Sequence, residues 1–105
     1  METVPALRFA QLARRLGAAA RATGLAVPAF RSPPRIAGAC RTIRRYPGGA
    51  VVSVQLRGRP FEEVAADMVE GVLVANRVSG EAAARLRVAL GKAACEEGGA
   101  GSEAA

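Results

Sequence analysis

Residues 40–57 have the sequence CRTIRRYPGGAVVSVQLR, which predicts a β-hairpin. The second half of this stretch alternates apolar with polar residues, as a strand with one buried face does. The apolar members of the alternation are Val52, Val54 and Leu56. The turn falls within the four residues Pro47, Gly48, Gly49 and Ala50. Because a single hairpin is only marginally stable in water, this one must pack on helices, pair with a second copy, or do both.

The predicted register of the hairpin follows from a two-residue turn made by the two glycines. Such a turn pairs Tyr46 with Val51. It also pairs Ile43 with Val54, so that the apolar residues of both strands share one face, the core face. The opposite face then carries Arg44, Tyr46, Ser53, Gln55 and Arg57. Two more arginines fall on the core side, at or beyond the edge of the core: Arg41 and Arg45.

Helical patterns lie on both sides of the hairpin. Residues 5–23 are amphipathic and begin after Thr3, which we expect to cap the helix. Residues 60–77 begin with a proline and carry two acids in the first turn, and Ser79 is expected to cap a further helix over residues 80–95. The sequence therefore predicts an α+β fold in the order α-β-β-α-α. It consists of an N-terminal helix, a two-stranded antiparallel β-hairpin and a C-terminal helical hairpin.

The remaining segments are a connector and a tail. Residues 25–39 contain three prolines and are expected to be extended, because a residue before proline avoids the α region. Residues 96–105 contain only glycine, alanine, serine and glutamate, a composition typical of disorder. We therefore expect one small domain over residues 1–95, followed by a disordered acidic tail over residues 96–105.

Positive charge is concentrated in the first half of the chain. Residues 1–59 carry eleven arginines and one glutamate, whereas residues 60–105 carry four basic and eight acidic residues. The net charges of the two parts are therefore +10 and −4, which give +6 for the whole chain. Such asymmetry points to nucleic acid, an anionic membrane or an acidic partner. Alternatively, the acidic half neutralises part of the basic half, in exposed ion pairs that each contribute about 0–1 kcal/mol.

Composition also indicates a compartment. Fourteen arginines stand against one lysine, which together with abundant alanine and glycine indicates GC-rich codon usage and a bacterial, cytoplasmic protein. Cys40 and Cys95 lie far apart and do not form a disulfide framework, so we expect two reduced, mostly buried thiols. No stretch approaches the roughly 20 apolar residues of a membrane span, so none is expected.

The residues that most enzymes use are missing or badly spaced. The chain has no histidine, which removes histidine-based catalysis and histidine-ligated metal. It contains no CxxC, no GxGxxG and no phosphate-binding loop. Glu63, Asp67 and Glu70 share one helix face, but a solvated stripe accounts for them better than a metal site does. We therefore expect a non-catalytic protein with no metal and no cofactor.

The arginines around the hairpin are the candidate functional site. A guanidinium donates two parallel hydrogen bonds to a phosphate, and an exposed ring stacks on a base. A two-stranded ribbon also fits the major groove of a duplex. The candidate nucleic-acid-binding residues are Arg31, Arg35, Arg41, Arg44, Arg45, Tyr46, Arg57 and Arg59. The sequence thus favours a small basic protein that contacts nucleic acid through an arginine-rich hairpin surface.

A protein-binding module is the alternative function. The open edge of a hairpin invites pairing with another strand, and a homodimer that joins two hairpins into a four-stranded sheet is the simplest such assembly. An acidic protein also matches the positive charge. A membrane-surface role for the first helix is weaker, because its few bulky apolar residues are needed in the core.

Overall fold

The computed structural model describes residues 3–36 and 38–95. In these residues three helices and three strands follow one another in the order α-β-β-β-α-α. The helices are α1 (Ala6–Ala22), α2 (Phe61–Ala75) and α3 (Gly80–Cys95). The strands are β1 (Ala29–Arg31), β2 (Arg41–Tyr46) and β3 (Gly49–Val54). The α+β class is confirmed, and the tail over residues 96–105 lies outside the described residues.

The sheet has three strands where the sequence predicts a two-stranded hairpin. β3 lies at its centre, with β2 antiparallel on one side and β1 parallel on the other. β1 lies within the predicted connector, residues 25–39. Three residues between prolines are too few to show an alternation, and the strand that pairs with them follows only after β2. The sequence pattern therefore contains no local sign of β1.

The hairpin turn consists of Pro47 and Gly48, so that Tyr46 pairs with Gly49. This register is two residues away from the predicted one. A Gly48–Gly49 turn would leave Pro47 in a strand, where it has no N–H to donate, whereas the first central position of a turn suits its restricted φ. Because side chains alternate with a period of two, the shift leaves the side chains of β2 and β3 on their predicted faces, whereas Arg57 lies beyond the end of β3.

The core lies between the sheet and the helices. α2 packs on the face of the sheet that carries Val52 and Val54, and α1 and α3 pack against α2. The largest fully buried side chains are Leu12, Leu16, Val52, Val54, Val64, Met68, Val72, Leu73 and Leu90. Among the described residues, the helices leave the opposite face of the sheet open. That open face positions the candidate site.

The helix boundaries agree with the sequence pattern to within two residues, but the caps differ. Pro5 occupies the N-cap position of α1 and makes no side-chain capping hydrogen bond. Thr3 instead accepts a hydrogen bond at Oγ1 from the backbone N–H of Gly58, at 3.3 Å. Thr3 therefore joins the start of the chain to the loop after β3. Within the described residues, no helix has both the length and the apolar content needed to cross a bilayer.

Candidate nucleic-acid interface

The open face of the sheet holds a groove of about 330 Å³, here called the face groove. β1 contributes Arg31, β2 contributes Arg44 and Tyr46, and the chain that crosses from β1 to β2 contributes Arg35. The complete lining is Arg31, Pro33, Arg35, Ile36, Thr42, Arg44, Tyr46, Val51 and Ser53. Four of the eight predicted site residues therefore meet in one concavity.

The strand register explains why these side chains share a face. Arg31 lies beside Ser53, and Thr42 lies opposite Ser53, so the three form one row across the sheet. Arg44 lies opposite Val51 in the neighbouring row. Rows on the same face of a sheet are two residues apart along the strand, or about 7 Å. The two strand arginines therefore lie on the same face in adjacent rows, on the two strands that flank β3.

Gln55 holds the crossing segment beside this surface. The backbone N–H of Ile36 donates to Gln55 Oε1 at 3.1 Å, and Gln55 Nε2 donates to the carbonyl of Pro34 at 3.3 Å. Arg35 lies between these two anchored residues, and its side chain is exposed. One side-chain amide thus fixes the backbone that presents the third arginine of the groove.

The face groove is electropositive. Three guanidiniums line it, and none of its lining residues is acidic. The hydroxyls of Thr42 and Ser53 add neutral hydrogen-bond donors at its floor. A concave site with charge of one sign raises the local concentration of ligands of the opposite sign. Tyr46 borders the groove with 53% of its surface exposed, so its ring is accessible.

Arg41 and Arg59 lie on the other side of the sheet, where both contact Asp67 of α2. Arg41 Nη1 lies 3.4 Å from Asp67 Oδ1, and Arg59 Nη2 lies 2.5 Å from Asp67 Oδ2. Arg59 also reaches Glu63, with 3.5 Å between Nε and Oε1. It donates a further hydrogen bond to the carbonyl of Gln55 at 2.9 Å. These two predicted site residues therefore join the sheet to α2 and do not enter the face groove.

The environment of Arg59 keeps it charged. Burial lowers the pKa of Arg59, but the hydrogen bond and the Coulombic attraction of Asp67 outweigh burial and raise that pKa above its ordinary value. The side chain is only 12% exposed. A cation held in this way links the segment after β3 to α2.

The last two predicted site residues lie apart from the face groove. Arg45 points to the helix side, where its Nη2 donates to the carbonyl of Val74 at 2.8 Å, near the C-terminus of α2. The negative end of the helix dipole favours a cation at that position. Arg57 is exposed in the turn that follows β3. The alternation of β2 had placed Arg41 and Arg45 on the core side, and the structure confirms that orientation.

The acidic residues of α2 bind arginines. Glu63 and Asp67 contact Arg59, and Glu70 forms an ion pair with Arg87 of α3. The hydrogen bond from Arg87 is the main cause that lowers the pKa of Glu70 below its ordinary value. In the described part of the chain, no three cysteine, aspartate or glutamate side chains are close enough to hold one metal ion.

The two cysteines are free and exposed, so the expectation of buried thiols is wrong. Cys40 directly precedes the edge strand β2, and Cys95 is the last residue of α3. Both positions lie at the end of an element, where packing from other elements ends.

Comparisons with protein-family models, curated proteins and solved structures found no match for this chain. What it binds must be inferred from its own surface.

Proposed function

We propose that this protein binds nucleic acid without catalysing a reaction, and that the face groove is the contact surface. One observation carries the proposal. Arg31, Arg35 and Arg44 come from three separate segments of the chain and converge, with Tyr46, on a groove that no acidic residue lines. Exposed guanidiniums gathered in this way match the phosphates of a nucleic acid in charge and in hydrogen-bond geometry.

The number of arginines determines the expected strength of the electrostatic contribution. Each neutralised phosphate releases counterions, so log K falls linearly with log salt, with a slope of about −0.7 to −0.9 per contact. Three arginines in the face groove therefore predict a slope of about −2 to −3. Arg41 and Arg59 are left out of this estimate, because they contact Asp67 and do not line the face groove.

The experiment measures the fluorescence anisotropy of a labelled oligonucleotide between about 50 and 200 mM salt. Arg44→Glu is expected to weaken binding and to reduce the salt slope, because it reverses a charge inside the groove. The matched control is Arg85→Glu, which reverses an exposed charge on α3. Equal weakening by the two variants, or no binding of any nucleic acid at low salt, would contradict the proposal.

The alternative is a homodimer formed through the edge of the hairpin. β2 is an edge strand, and its outer backbone groups could pair with a second copy. However, β2 carries Arg41, Arg44 and Arg45. Two such strands side by side would bring like charges together, which destabilises the pairing. An acidic strand from another protein would avoid this repulsion, so a protein partner of that kind is the second candidate.

A further inference from the structure

Tyr46 borders a second groove, of about 340 Å³, at the tip of the hairpin. Arg45 and Arg77 line this tip groove, together with small residues of the turn and of the segment before β1. No acidic residue is among them. Tyr46 thus lies between two grooves, each lined by at least two arginines.

Other grooves on this molecule have a different lining. One lies between the first turns of α1 and α2 and includes Glu62. Another lies between α2 and α3 and includes Glu62 and Glu70. The two grooves beside Tyr46 therefore share a charge character that these do not have.

Arg77 is held in an unusual backbone conformation. Its φ is +56°, in the left-handed region that favours glycine after a helix. Its backbone N–H donates to the carbonyl of Val74, the same oxygen that accepts the hydrogen bond from Arg45. Both arginines of the tip groove therefore hydrogen-bond to the same carbonyl oxygen, Arg45 through its side chain and Arg77 through its backbone. The left-handed conformation costs free energy for any residue other than glycine. An arginine at such a position is therefore expected to have a side chain that the function uses.

We infer that the face groove and the tip groove form one path for a single-stranded nucleic acid, with a base stacked on Tyr46 where the strand passes from one groove to the other. This inference rests on the proposed function. Phosphates on either side of the stacked base would meet Arg44 in the face groove and Arg77 in the tip groove. Stacking on an aromatic ring tolerates any base, because every base has a π face.

The geometry favours a single strand over a duplex. A β-ribbon that recognises a duplex projects into a major groove about 12 Å wide. Here the arginines lie on the face of a sheet, in a groove that Pro33 and Ile36 also line. Bases inside a duplex are stacked on one another, so they leave no face for Tyr46. A strand whose bases are unpaired can enter both grooves and stack on the ring.

The geometry also favours a strand over a free nucleotide. A mononucleotide would occupy one groove and leave the arginines of the other without an anion. A strand supplies phosphates to the arginines of both grooves. Arg77→Gly separates these cases, because glycine suits the positive φ while the guanidinium is lost. This variant is expected to be as stable as the wild type or more stable, yet to bind a single strand with a salt slope smaller by about 0.7.

Tyr46 provides a direct signal, since the chain has one tyrosine and no tryptophan. Addition of oligothymidylate is expected to quench the tyrosine emission, after correction for nucleotide absorbance. The duplex that oligothymidylate forms with its complementary strand is expected to cause no quenching. Tyr46→Ala is expected to weaken single-strand binding by about 5- to 100-fold. Tyr46→Phe retains the ring and should bind like the wild type, which shows that the fold is intact.

The control for Arg77→Gly is the same substitution at an exposed arginine that lines neither groove. Arg85→Gly removes an exposed α3 arginine and should leave the salt slope unchanged. Equal quenching by the duplex, or an unchanged slope in Arg77→Gly, overturns the single-strand path while the proposed function stands. Competition by thymidine monophosphate as strong, per nucleotide, as that of the oligomer assigns the site to a free nucleotide and also overturns the path. No binding of any nucleic acid at low salt overturns both proposals.

Discussion

Arg44 and Arg45 are adjacent residues of one strand, yet they have different surroundings. Successive side chains of a strand point to opposite faces, so Arg44 enters the face groove and Arg45 reaches the C-terminus of α2. Arg41 also lies on the helix side, where it contacts Asp67. The alternation therefore decides which surface each arginine of β2 faces: Arg44 lines the face groove, whereas Arg45 and Arg41 lie on the side of α2.

The ion pair of Glu70 with Arg87 makes the stability of the protein depend on pH. The pKa of Glu70 is lowered from its ordinary value of 4.5, mainly by the hydrogen bond from Arg87. The folded state therefore favours the carboxylate. The stabilisation is present above pH 4.5 and is lost as the pH falls through the lower pKa of the folded state.

We expect Arg87→Gln to reduce the urea midpoint at neutral pH. The difference from the wild type should shrink as the pH falls through the lowered pKa of Glu70 in the folded state, where the carboxylate becomes protonated. Urea titrations of both proteins at neutral pH and over a series of acidic pH values measure this change. A difference that stays constant over the whole series would mean that Glu70 is not the group responsible.

α2 approaches the sheet closely at Gly71. A Cβ at this position would be 2.6 Å from Cγ1 of Val52, so only glycine allows the helix to approach β3 this closely. Val52 is fully buried and pairs with Phe30 of β1 on one side and with Ile43 of β2 on the other. α2 therefore packs directly on Val52, a residue of β3 that pairs with both neighbouring strands.

We expect Gly71→Ala to destabilise the protein by about 1–3 kcal/mol, because the added methyl group overpacks the contact with Val52. Gly91→Ala in α3 is the matched control. Its Cβ would meet no atom within 4 Å, so the helix should gain up to about 1 kcal/mol. Urea unfolding measures both changes. Stabilisation by both substitutions would show that α2 does not lie this close to β3.

At the scale of the whole molecule, the face groove and Asp67 of α2 lie on opposite sides of the sheet. Asp67 contacts Arg41 and Arg59 on the helix side, whereas the face groove opens on the other side. Ion pairs between the acidic and the basic half of the chain involve these two arginines. Three other arginines of the basic half line the face groove. An electropositive face backed by an acidic helix also orients an approaching polyanion.

The same distribution of charge predicts a monomer. Both edge strands carry arginine, one on β1 and three on β2, so a second copy pairing with its like edge would meet like charge. Sedimentation equilibrium at low salt is expected to give the mass of one chain over a wide range of concentrations. A mass of two chains would favour the homodimer instead, and Arg44→Glu would then identify whether β2 lies in the interface.

Much of the fold follows from local pattern. The helix boundaries, the hairpin and the faces of its side chains agree with the periods of 3.6 and 2 residues. The site is predicted less completely. Of the eight proposed residues, the face groove contains Arg31, Arg35, Arg44 and Tyr46. Arg77 was not predicted at all, because it lies in the acidic half, between two helices, where nothing in the sequence connects it to the hairpin.

The sequence by itself determined which segments are helical, that a hairpin turn lies within residues 47–50 and which side of β2 and β3 is polar, because these properties depend on backbone geometry within a few residues. Only the tertiary structure decided that β1 joins the sheet, that Asp67 contacts both Arg41 and Arg59, and which arginines share a groove. Asp67 lies 26 residues beyond Arg41 in the chain. Such contacts depend on how α2 packs across the sheet, and no local periodicity encodes that arrangement.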